Sequence, residues 1–183
     1  MVVLAVDPGP LTSGYALWDA DARRVMESGS DTPNDELRTI ILPAALGLLT
    51  AVPGSQFAIE RVACYGRPVG DPVFETVFFS GRLAEWWETA TGVPAIRRTF
   101  SDVALHFCHS RHAKESHVRQ VLLDRFGGKG TTARPGPFYS VSGHAWSAAA
   151  LGIYVMDTMQ GAPTLTGSGA TTGSTTRPYQ LEG

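Results

Sequence analysis

The chain has 183 residues, 43% of them hydrophobic, with a formal net charge of -2, enough length and apolar content to close one sizeable core. No run of eighteen apolar residues occurs, and the start lacks the basic flank and apolar stretch of a signal peptide, so the expectation is a soluble, cytoplasmic protein with no membrane partner. Two cysteines, Cys64 and Cys108, are too few for a disulfide framework.

Val2 to Asp7 is a short, β-branched, apolar run closed by Pro8 and Gly9, which predicts a buried strand ending in a turn. Thr12 to Trp18 alternates and predicts a second strand, and Ala22 to Ser28 a third, the three forming an antiparallel meander. Asn34 to Ala51 has helical spacing at Leu37, Ile40, Ile41, Ala44, Ala45 and Leu48, with Pro43 threatening a kink. Gln56 to Val62 predicts a strand with Glu60 in its middle, on the same face as Ala58 and Val62. A helix from Asp71 to Thr89 carries Phe74, Val77, Phe78, Leu83, Trp86 and Trp87, expected mostly in the core. A short strand over Pro94 to Arg98 and a short helix over Ser101 to Cys108 follow. Lys114 to Phe126 is an amphipathic helix stopped by Gly127 and Gly128, and Pro135 to Pro137 begins a loop. Ser142 is a plausible cap for the last helix, which runs to Met159 and has His144 on its core-facing side. Of the last 23 residues thirteen are Gly, Ser or Thr, so the reading is one domain over residues 1–160 and a disordered or linker tail over 161–183. Three strands, helix, strand, helix, strand and further helices predict an α/β fold with a five-stranded mixed sheet flanked by helices.

Charge is uneven. Between Arg97 and Arg134 eight basic residues face three acids, about +5, against about -7 for the rest. A basic section beside an acidic one suits an enzyme that must hold both phosphates and a metal ion; a plain solvated face has the same composition.

Carboxylates inside or ending apolar strands are unusual, because a buried Asp or Glu is costly unless paired or bound to metal. If the strands ending at Asp7 and holding Glu60 are neighbours, the two acids meet. Oxygen donors of this kind suit Mg²⁺, and two-metal nucleases hold their ions roughly 3.5 to 4 Å apart. An Asp that merely caps the turn at Pro8 and an edge-strand Glu are the plainer alternatives.

The stretch AVDPGPLTSGYALW (residues 5–18) resembles the first two strands of the RuvC family of Holliday junction resolvases, which have the RNase H-like fold. FAIERV (57–62) resembles that family's strand with the catalytic Glu, while AKESHVRQVLLDRFGG (113–128) and VSGHAWSAAALGIY (141–154) resemble its later helices, especially in bacteriophage-encoded members. The likeness spans residues 1 to 159. It implies a structure-selective endonuclease in which Asp7, Glu60 and His144 are catalytic and hold Mg²⁺ or Mn²⁺. Where many relatives have a further acid this chain has Ser147, which cannot be an anionic ligand and is left a supporting role behind the ligands. Branched DNA would be the substrate, contacted through Arg111, Lys114 and Arg119, or those residues merely solubilise their helix. A four-way junction has two equivalent strands to cut, which implies a homodimer, and the setting would be the cytoplasm of a bacterial or phage-infected cell. Phe74, Phe78 and Trp86 include candidates for a base-stacking wedge, with the core as the alternative.

The loss of the acid at Ser147 leaves a second reading open: a branched-DNA-binding protein without turnover. An ATP-using member of the broader actin-like group also begins with a strand and an acidic turn, but no Gly-rich adenosine loop follows. The cluster His106, Cys108, His109, His112 and His117 has no spacing of a closed zinc motif.

Overall fold

The computed structural model describes residues 1–64, 66 and 68–160; the predicted tail over residues 161–183 lies outside the described residues. Five strands form the main sheet in the order β3-β2-β1-β4-β5. β1 (Val2–Asp7) pairs antiparallel with β2 (Thr12–Asp19), and β2 pairs antiparallel with β3 (Arg24–Pro33). On its other side β1 runs parallel to β4 (Gln56–Glu60), which is parallel to β5 (Ile96–Arg98). The sheet is therefore mixed, as expected, and its parallel half requires the crossover helices that cover both faces.

Strand parity divides the core into two layers. Val3, Ala5, Ala16, Trp18 and Ala58 point to one face, where they pack with α4 (Phe100–Cys108), α5 (Glu115–Phe126) and α6 (Ala145–Gln160). Val2, Leu4, Val6, Tyr15, Leu17, Phe57 and Ile59 point to the other, under α2 (Leu42–Ala51) and α3 (Asp71–Thr91). The small residues Ala145, Ala148 and Ala149 are fully buried and let α6 lie flat against β1 and β2. Trp18, Phe126, Phe138 and Trp146 form one aromatic cluster, with Phe138 stacked 5.9 Å from Trp18 and tilted against Trp146 at 5.1 Å.

Several elements differ from their expected form. The third strand starts at Arg24 and runs on to Pro33, because Asp19 accepts the backbone N–H groups of Asp21 and Ala22 and holds that segment as a turn, with Arg23 at φ 53°. The helix after it is broken into α1 (Asn34–Glu36), a π-helical turn (Leu37–Ile41) and α2. Pro43 has no N–H and would press on the carbonyl four residues back in a regular helix, and the wider π turn precedes it. Glu60 ends its strand instead of occupying its middle. A short hairpin of β6 (Gly130–Thr131) and β7 (Arg134–Pro135) occupies what was read as the approach to a loop.

The largest correction concerns α3. Leu83 and Trp87 are buried, but Phe74, Val77 and Phe78 are 51%, 50% and 70% exposed and form an apolar strip at helical spacing on its outer side. α3 packs under the sheet along the face that carries Phe79, Leu83 and Trp87, with Trp86 and Trp87 against Phe57.

Phe138 is fully buried at the centre of its aromatic cluster. Truncation to alanine leaves a cavity bounded by Trp18, Phe126 and Trp146, so Phe138→Ala should destabilise the fold by about 3–5 kcal/mol in urea denaturation. A loss under about 1 kcal/mol would show that the cluster does not hold α6 to the sheet.

Candidate active site

The parallel ladder between β1 and β4 pairs Ala5 with Ala58 and Val6 with Ile59, so the next residues in register are Asp7 and Glu60. Both continue the parity of Ala5 and Ala58 and share the face covered by α4, α5 and α6. Adjacent strands stand about 4.8 Å apart, which sets the two carboxylates side by side where both strands end. They line a cleft of about 1160 Å³ together with Pro8, Arg61, Asp102 and Arg111.

The loop after Asp7 is tied down by a closed set of hydrogen bonds. Gly9 N–H donates to Ser13 Oγ, Ser13 donates to Asn34 Oδ1, and Asn34 Nδ2 donates back to the Gly9 carbonyl, at 3.4, 2.7 and 3.0 Å. Ser13 is buried, so this polar set is satisfied internally.

Glu60 is the least comfortable group in the molecule. Its Oε2 is shut off from solvent and has no hydrogen-bond partner, and burial, then the charges of Asp7 and Glu115, push its carboxyl up to about 8. Asp7 is pushed up to about 6 by burial, opposed by the nearby His144 and reinforced by Glu115. Glu60 has no ion-pair partner among the described residues and Asp7 only His144, and the hard oxygen donors the two acids present fit a divalent cation such as Mg²⁺.

His144 lies beside them but not where the sequence predicted. It is outside α6, whose first residue is Ala145, and its side chain is 67% exposed instead of facing the core. Its Nδ1 is 3.6 Å from Asp7 Oδ2. The backbone around it is fixed from two sides. His144 N–H donates to Ser30 Oγ at 3.0 Å, and the preceding Gly143 has φ 43° with the Ser30 hydroxyl only 2.1 Å from where a side chain would start. On β2, Gly14 faces the His144 carbonyl so closely that a Cβ there would lie 2.5 Å from it. The two glycines therefore let the start of α6 sit directly on the end of the sheet. Among the described residues no three His, Cys, Asp or Glu side chains stand close enough to hold one ion. Asp7 and Glu60 are brought together, and His144 reaches Asp7 alone.

Ser147, one turn into α6, is buried. Arg111 reaches the cleft but is held by Asp102 at 3.0 Å; Thr99 first, and Arg111 after it, keep the Asp102 carboxyl below the usual range. Arg119 lies with its guanidinium 4.6 Å from the Trp146 ring and lines a smaller cavity with Glu115, Ser116 and His144. Lys114 is the exposed residue that precedes α5, and its N–H donates to His117 Nδ1. Of the three cations singled out in the sequence, Arg111 lines the cleft with the acidic pair, Arg119 lines the neighbouring cavity with His144, and Lys114 stands just before α5. Of the histidine cluster, His106 is engaged elsewhere, with Asp157, which also pairs with Arg125.

Two lining residues went unnoticed in the sequence. Strand alternation puts Arg61 on the face opposite Glu60, but β4 ends at Glu60 and Arg61 lines the cleft. Glu115 looked like an ordinary acid at a helix start, where one complements the helix dipole; a signal was its position at the basic loop leading from Arg111.

No protein-family model and no curated protein matches the chain. Among solved structures it is similar to a Thermus thermophilus RuvC structure, with TM-score 0.58, 18% identity, and 88% of this chain and 98% of that one covered. It is also similar to T. thermophilus RuvC in complex with Holliday junction substrate, with TM-score 0.58, 19% identity and 84% and 91% covered. The fold is that of RuvC, RNase H-like, along nearly the whole length of those chains.

The raised carboxyls have a consequence for metal-free protein. Folded, Asp7 and Glu60 keep protons that the unfolded chain has released, so their contribution is most favourable below the unfolded values near pH 4 and is lost as pH rises through about 6 and about 8. In chelator, the urea midpoint should fall between about pH 5 and about pH 8, and Glu60→Gln should flatten that slope. An unchanged slope in the variant would show that Glu60 titrates as an ordinary surface acid.

Proposed function

We propose that the chain is a structure-selective DNA endonuclease that resolves four-way junctions or other branched DNA by metal-dependent phosphodiester hydrolysis. The observation that carries this reading is the pair of buried, mutually repelling carboxylates at the open end of two parallel strands, on a fold shared with a RuvC seen with a Holliday junction. Asp7 and Glu60 would hold the cation, Mg²⁺ or Mn²⁺, with His144 beside them on the α6 side. When bound, such an ion supplies a polarised water nucleophile and a counter-charge to the leaving oxygen.

The chain's own groups do the rest. The cleft orients the scissile phosphate against Asp7 and Glu60, and their burial keeps competing water from their oxygens. His144 takes a proton from the water that attacks phosphorus as the bond to the 3′ oxygen breaks. Asp7, at 3.6 Å, orients its ring. Arg119 and Lys114 are free to meet phosphates flanking the cut, and Arg111 does so by exchanging its Asp102 contact for DNA.

Cutting two equivalent strands calls for a homodimer, and the exposed strip of Phe74, Val77 and Phe78 on α3 is the surface best suited to it. A bacterial cytoplasm suits both the substrate and the reduced state expected of Cys64 and Cys108. No helix among the described residues is long and apolar enough to cross a membrane.

One observation favours a second reading, binding without cleavage: Ser147 stands buried on α6 with no charge to offer, and His144 reaches only one of the two acids. The two readings part on one experiment. Purified protein should nick a synthetic four-way junction in Mg²⁺, and Asp7→Asn should reduce cleavage by at least about 10³-fold while junction binding and thermal unfolding stay close to the unmodified protein. Tight junction binding with no cleavage by the unmodified protein establishes the second reading. An active Asp7→Asn variant removes Asp7 from the chemistry.

A further inference from the structure

Glu115 is the first residue of α5 and follows the loop whose residues Arg111, His112 and Ala113 line the main cleft beside Asp7 and Glu60. Its side chain lines the adjoining cavity with His144, and His144 is the residue that touches Asp7. Glu115 thus stands just after the loop that lines the main cleft and, across the adjoining cavity, beside His144. It is exposed and has no hydrogen-bond or ion-pair partner among the described residues. Arg119, one turn along, is the cation best placed to neutralise it, yet that guanidinium lies over Trp146 instead. The neighbourhood already contains an enclosed, unpartnered carboxylate oxygen on Glu60.

An uncompensated third acid beside such a pair is unfavourable unless something positive joins it. Glu115 shares a cavity with His144, which in turn touches Asp7, so its negative charge adds to that of the same site. A helix start explains why an acid is tolerated there, since the N-terminal dipole attracts negative charge. That dipole does not account for three carboxylates of which only Asp7 has an ion-pair partner among the described residues, the exposed His144.

We infer that Glu115 is a third carboxylate acting on this site, a positioning residue that strengthens divalent-cation binding at Asp7 and Glu60 from the α5 side through a water. The inference rests on the nuclease reading above. It assigns to α5 the negative charge that α6, with Ser147, does not supply.

The test is Mn²⁺ binding, followed by electron paramagnetic resonance on the full chain, for the unmodified protein, Glu115→Gln, Glu115→Asp and, as a control on the same helix, Asp124→Asn. Glu115→Gln should weaken binding about 10–100-fold, the range for losing a group that supports a metal ligand. Glu115→Asp should recover part of that loss, Asp124→Asn should bind as the unmodified protein does, and the Mg²⁺ concentration for half-maximal cleavage should rise in step. Unfolding in chelator separates this role from helix capping: removing a repelling acid raises the unfolding midpoint of metal-free protein, whereas removing a favourable dipole partner lowers it.

If the unmodified protein binds Mn²⁺ and cleaves, and Glu115→Gln matches it in both affinity and Mg²⁺ dependence, this inference fails and the nuclease reading stands. A lowered midpoint in chelator with unchanged Mn²⁺ affinity likewise reduces Glu115 to a helix cap. If the unmodified protein neither binds Mn²⁺ nor cleaves, both fall together.

Discussion

Burying two carboxylates side by side is the constraint around which the rest of this molecule is arranged. The parallel pairing of β1 with β4 leaves no choice about it: once Ala5 opposes Ala58 and Val6 opposes Ile59, Asp7 and Glu60 emerge together on one face. That pairing is in turn held by apolar residues on both faces, Leu4, Val6, Phe57 and Ile59 below and Val3, Ala5 and Ala58 above. The acids cannot separate without breaking the core. Folding energy from ordinary hydrophobic burial therefore maintains an electrostatic conflict that a bound cation would resolve.

The α6 side of the site is built by close approach instead of by charge. Gly14 on β2 admits the His144 backbone, Ser30 on β3 accepts its N–H, and the alanines of α6 keep the helix low on the sheet. Any side chain at Gly14 would lift the start of α6 and draw His144 away from Asp7. Behind Asp7 the Gly9, Ser13 and Asn34 network does similar work, holding the turn through satisfied hydrogen bonds. The rigid part of the site is thus the sheet end and its loop. The exposed part, with Lys114, Glu115 and Arg119, lies on α5, where a long polyanion can reach it.

Much of this was legible in the chain itself because it depends on period-2 and period-3.6 patterns. A carboxylate ending an apolar run at Asp7 and another at Glu60, amid Phe57, Ala58 and Ile59, signalled buried acids, and the meander plus crossovers predicted the sheet. What escaped depends on tertiary placement. Phe74 and Phe78 look like core residues in any pattern, yet α3 turns the face of Phe79, Leu83 and Trp87 to the sheet and leaves them outside. His144 was read as a helical, core-facing residue, but the tight turn at Gly143 starts the helix one residue later and turns the ring outward. Glu115 was invisible because an acid at a helix start needs no special explanation; only its position across from Asp7 and Glu60 gives it one.

The central claim is that the end of β1 and β4 is a cation site. Anomalous diffraction from crystals grown with Mn²⁺ tests it most directly. A peak between the Asp7 and Glu60 carboxylates, with Mn–O distances near the roughly 2.1–2.2 Å of oxygen ligands, is the predicted result. Crystals in which both side chains are ordered and Mn²⁺ is found only elsewhere, or nowhere, would contradict it.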